Sequence, residues 1–84
     1  MKYLKQVLNK SEFSILVGKR IRELREKKSI TQLQLATEIE INESTFRNYE
    51  NGRKLPSIYT VYKIACYLDL ELNELVEGIQ EGEY

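Results

Sequence analysis

Eighty-four residues make one small domain, and 42% apolar with 31% charged residues is the composition of a soluble globular chain rather than a disordered one. With no histidine and a single cysteine, Cys66, the usual zinc sites, histidine-based triads and an intrachain disulfide are excluded; no enzyme, cofactor or metal is expected. The formal charge of zero hides an asymmetry: residues 1–68 carry 13 basic against 7 acidic residues, a net of +6, while residues 69–84 carry six acids and no base.

Apolar residues recur with a period of about 3.6, and no run alternates strictly with β-branched residues, which predicts an all-α chain. Tyr3, Leu4, Val7 and Leu8 fit a short extra N-terminal helix, with Asn9 to Ser11 as a break. The first strong helix is expected over about 14–28, with Val17, Ile21 and Leu24 inward and Lys19, Arg20, Arg22, Glu23 and Glu26 outward. Lys19, Arg20 and Arg22 form a basic run of the kind that usually only solvates a helix face.

Thr31 followed by Gln34 is a capping box that opens a second helix, with Leu35, Ala36 and Ile39 buried. After Glu40 and Ile41, Asn42 is the expected N-cap of a third helix, with Glu43 in its first turn and Phe46 and Tyr49 inward. Asn51-Gly52 ends it. A fourth helix is expected from Pro56-Ser57, burying Val61, Ile64, Ala65 and Leu68, and a short fifth helix from Leu72 and Leu75, with Asn73 as cap. The domain reading is an arm or short helix over 1–13, a folded unit over 14–77 and an acidic, frayed tail over 78–84. The longest aliphatic run is Ile15-Leu16-Val17, too short for a membrane span or a signal-peptide core, so a cytoplasmic chain is expected.

Two short helices joined by a three- or four-residue turn cross steeply, and the second projects as a ridge that fits the DNA major groove. With Phe46 and Tyr49 inward, the third helix leaves Glu43, Ser44, Arg47 and Asn48 outside, the hydrogen-bonding groups that base edges require. Two readings fit Glu43: acceptance of a cytosine N4 proton, or complementation of the helix dipole. Arg47 either reaches DNA or pairs with Glu43, four residues earlier on the same face.

The stretches GKRIRELREKKSITQ, TFRNYENGRKLPS and IYTVYKIACYLDLELNELV, in that order, resemble the Cro/repressor-type, or XRE, helix-turn-helix family over about residues 15–76. The resemblance implies a compact five-helix domain of the phage-repressor DNA-binding type, with the third helix in the major groove. It implies a small transcriptional regulator, most simply a repressor, that binds a palindromic operator in double-stranded DNA as a homodimer. By position, Gln32, Asn51, Arg53 and Lys54 match phosphate-contacting sites, and Asn42, Glu43, Ser44 and Asn48 match those that meet the backbone edge and the bases; Asn42 is expected on phosphate, and Arg47, outward beside the others, is expected among the base readers. Arg25 and Glu50 match a charge pair tying the first helix to the third. Ser29 and Glu40 depart from the family by standing where glycine is usual; a positive φ there carries a Cβ penalty of about 1 kcal/mol.

Tyr59, Tyr62 and Cys66, spaced i, i+3 and i+7, form a stripe on the fourth helix. With Tyr67, Leu70 and Leu72 they are candidates for a dimer or partner surface. Each taken alone also fits a residue lying over the core. Neither a membrane nor a small-molecule ligand is expected as a partner. The rival reading is a protein-interaction module, antitoxin-like or partner-binding, that keeps the fold with weak or no DNA binding; zero net charge and the glutamates beside the reading helix favour it.

Overall fold

Asn9 opens the first helix. Its side chain accepts the Glu12 N–H at 2.8 Å, and the Glu12 carboxylate accepts the Asn9 N–H at 3.2 Å, a complete capping box. In the computed structural model, which describes residues 7–76 and 79, α1 therefore spans Lys10–Lys27, four residues longer at its start than the apolar spacing predicts. The expected break over Asn9 to Ser11 is instead a cap and the first helical turn. Of the extra N-terminal helix, Val7 and Leu8 are not helical, and residues 1–6 lie outside the described residues.

α2 follows over Gln32–Glu38, α3 over Glu43–Glu50, α4 over Ile58–Tyr67 and α5 over Leu72–Val76. No strand occurs among the described residues. The Thr31–Gln34 capping box forms as expected, and Ser57, rather than Pro56, caps α4 by accepting the Thr60 N–H. Asn73 is not a cap: it lies inside α5, and the Glu71 N–H donates to the Glu74 carboxylate at 2.8 Å.

Four helices end in the same way. After α1, α2, α3 and α4, one residue turns left-handed and its N–H and that of the next residue bond back into the last turn. At α2 these are Glu40 N–H to Thr37 (3.2 Å) and Ile41 N–H to Ala36 (3.0 Å). The left-handed residue is glycine only at Gly52 (φ 81°); Ser29 (58°), Glu40 (64°) and Asp69 (57°) adopt it against their Cβ atoms. Ile30, Ile41 and Leu70 follow these three, and each packs against the core, which holds the turn closed.

The core is built from Leu16, Val17, Ile21 and Leu24 of α1, Leu35, Ala36 and Ile39 of α2 and its end, Phe46 and Tyr49 of α3, Ile64, Ala65 and Leu68 of α4 and its end, and Leu75 of α5. Ile79, expected in a frayed tail, is buried in the same core, whereas Leu72, a candidate for a partner surface, is exposed. α1 packs on α3 and α5, α2 on α3 and α4, and α4 on α5. Gly18 is what lets α1 lie against the end of α3: a Cβ there would collide with the Tyr49 carbonyl oxygen and stand 2.6 Å from that of Glu50.

Candidate nucleic-acid interface

The turn between α2 and α3 is four residues, Ile39 to Asn42, and it is fixed from beneath. Lys63 on α4 donates to the Ile39 carbonyl at 2.7 Å and lies 4.8 Å over the Tyr59 ring. Because Phe46 and Tyr49 are buried, the helical period turns Ser44 and Arg47 outward and leaves Glu43 and Asn48 half-exposed beside them. Asn42 takes the N-cap backbone geometry, but its side chain makes no cap hydrogen bond. Asn42 is thus the N-cap residue expected but lacks the expected cap bond: its exposed side-chain oxygen accepts no backbone N–H of the first turn.

The loop after α3 is hooked onto the same helix. The Asn48 carbonyl accepts the N–H groups of Arg53 (3.0 Å) and Lys54 (3.2 Å), and the Asn51 side chain also accepts the Arg53 N–H at 3.1 Å. Asn51, Arg53 and Lys54 are all exposed, so a cationic rim flanks the outer edge of α3.

Behind that edge lies a buried clamp. Arg25 donates from Nε to Glu50 Oε2 at 2.6 Å and from Nη2 to Oε1 at 3.0 Å, a bidentate pair. Its Nη1 donates to the Ile30 carbonyl at 2.7 Å, and Gln32 Nε2 donates to Glu50 Oε1 at 2.8 Å. The hydrogen bonds that Arg25 donates to Glu50 raise the guanidinium pKa above its ordinary value, against the opposing pull of burial. Three segments thus meet at one carboxylate: the end of α1, the start of α2 and the end of α3. Gln32, expected on the phosphate side, is half-buried and points one amide proton inward to this carboxylate, leaving the other.

Glu43 and Arg47 face each other, with Oε2 and Nη2 3.6 Å apart and both side chains partly open to solvent. Among the basic run on α1, Arg20 donates to the Glu74 carbonyl at 2.9 Å and Arg22 to Glu26 at 3.2 Å, so both serve the fold.

The six candidates for a partner surface do not share a face. Tyr59 and Tyr62 stack with ring centroids 6.3 Å apart and stand exposed, as does Cys66, whose neighbouring thiol raises the Tyr62 phenol pKa. Tyr67 turns instead toward α2. The charge of Glu38 raises its phenol pKa, and with Ile30, Leu33 and Leu35 the ring lines an open groove of about 610 Å³. Leu70 is half-buried against the core, and Leu72 is exposed on α5. Helix period alone did not show this split, because it does not say which neighbour each side of α4 meets.

Gly18 is the positioning residue that sequence reasoning missed: its own helix gives no reason for a glycine, and only the crossing with α3 supplies one. No helix among the described residues is long and apolar enough to cross a membrane.

A family model described as a helix-turn-helix domain matches residues 18–81. The ImmF control region 10 kDa protein of Bacillus phage phi105 is 32% identical over 72 residues, covering 81% of this chain and 80% of its own. Among solved structures, the restriction-modification controller protein C.AhdI from Aeromonas hydrophila is 34% identical with a TM-score of 0.70, covering 73% of this chain and 92% of its own. SinR, a master regulator for biofilm formation solved in complex with DNA, is 26% identical with a TM-score of 0.68 over 73% of this chain and 98% of its own. Five helices in this order, with a short turn before an exposed third helix, and these matches together establish that the chain belongs to the Cro/repressor-type, or XRE, helix-turn-helix family of DNA-binding transcriptional regulators.

Proposed function

We propose that the chain is a cytoplasmic repressor that binds a palindromic operator as a homodimer, residues 14–77 forming the DNA-binding unit. Each subunit lays α3 in the major groove, at half-sites about 34 Å apart. Glu43, Ser44, Arg47 and Asn48 select bases; Gln32, Asn42, Asn51, Arg53 and Lys54 hold phosphates and set register. Repression follows from occupying the promoter. The observation that supports this most is the free polar edge of α3, exposed at Ser44 and Arg47 and bordered by the uncommitted Asn42 amide and the exposed Arg53 and Lys54. A second subunit is supported by the exposed apolar residues at the ends of α4 and α5. Ile58 and Val76 there line one recess of about 210 Å³.

The division of labour is tested by operator variants. Asn48→Ala is expected to relax selection at one base pair by about 1–3 kcal/mol, while Arg53→Ala weakens binding to every sequence alike. Equal losses for both variants on every operator variant would show that the roles are misassigned.

A further inference from the structure

We propose that Glu43 and Arg47 act as one reading unit for a single G·C base pair, in one orientation. The inference rests on the reading of α3 as the groove helix. It starts from the ion pair itself: Arg47 Nη2 stands 3.6 Å from Glu43 Oε2 on the outer face, and Arg47 pairs with no other side chain among the described residues. A guanidinium has five N–H donors in a planar fork, so holding one carboxylate leaves a pair of donors for a base. The Glu43 carboxylate has lone pairs to spare as an acceptor.

Side by side, the two present donor, donor and acceptor. Across the major groove, a G·C pair presents acceptor (N7), acceptor (O6) and donor (N4), the complement of that row. The reversed pair presents the same groups in the opposite order. A·T presents acceptor, donor, acceptor and a methyl group, so neither arginine donor finds the pattern it needs. Pairing also explains how a carboxylate is tolerated at the start of a helix that approaches phosphates: Arg47 offsets its charge before DNA arrives. Apart they would read two positions loosely; together they read one position fully.

Selection of duplexes from a random library with the full chain, repeated for Glu43→Ala and Arg47→Ala, tests the idea. Both variants should relax the same G·C position by tenfold or more, about the discrimination of a bidentate contact, and leave the other positions alone. The double variant should lose no more at that position than the larger single loss. An independent measurement leaves the protein unaltered. At that base pair, 7-deazaguanine should weaken the parent chain but not Arg47→Ala, and N4-methylcytosine should weaken the parent but not Glu43→Ala. Relaxation at two different base pairs, or by one variant or neither, overturns the inference while the groove-helix reading stands. Failure of the parent chain to enrich any sequence overturns both.

Discussion

Arg25 and Glu50 are each 6% exposed, and removing either leaves an opposite charge without its partner in the protein interior. Such a loss costs about 3–5 kcal/mol, far above the about 0–1 kcal/mol of a surface pair such as Arg22–Glu26. Arg25→Ala should therefore lower the urea midpoint severely, while the double variant Arg25→Met, Glu50→Met should be more stable than either single methionine variant. A double variant as unstable as the sum of the singles would mean that the two charges do not act on each other. Both residues are readable in the sequence only through family position; their separation of 25 residues leaves no local pattern. Gln32 shows the same limit. The resemblance matches it to a phosphate contact, but the carboxylate that orients it comes from another helix.

At the scale of single elements, the helices were legible where caps and apolar spacing agree. Thr31 and Gln34 announce α2, and the same pattern at Asn9 and Glu12 is the cap of α1 where a break is expected. The strain at Ser29 and Glu40 is legible through the family's usual glycines, whereas that at Asp69 is not. Glu40→Gly should raise stability by about 0.5–1 kcal/mol, since a left-handed φ of 64° costs a side-chain-bearing residue about that much after the entropy of glycine is counted. Ser29→Gly should do the same, and Asp69→Gly less, because aspartate tolerates this geometry better. Thermal melts of the three variants check the ranking, and a uniform loss would show that the side chains stabilise their turns. Gly18→Ala should act in the opposite direction despite alanine's higher helix propensity. Its Cβ would meet backbone oxygens of α3 that cannot rotate away, so a loss of about 1–3 kcal/mol is expected in denaturant titration.

At the scale of the molecule, the five helices of the described residues share one core, and the outer edge of α3 is held by contacts made far from it. The Arg25–Glu50–Gln32 clamp fixes the end of α3 against α1 and α2, and Lys63 fixes the turn before it. Fold class and the outward residues of α3 were legible because each follows from period and burial along one helix. The grouping of Tyr67 with α2 rather than with Tyr59 and Tyr62 was not, because it depends on how two helices are placed in space. Dimethyl sulfate footprinting on a selected operator is the most direct test, since the reagent attacks guanine N7, which lies in the major groove. Guanines protected in two clusters about one helical turn apart on one face of the duplex are expected, with protection lost in Arg47→Ala at the guanine it reads. Tight binding that leaves every guanine N7 as reactive as in free DNA would contradict it.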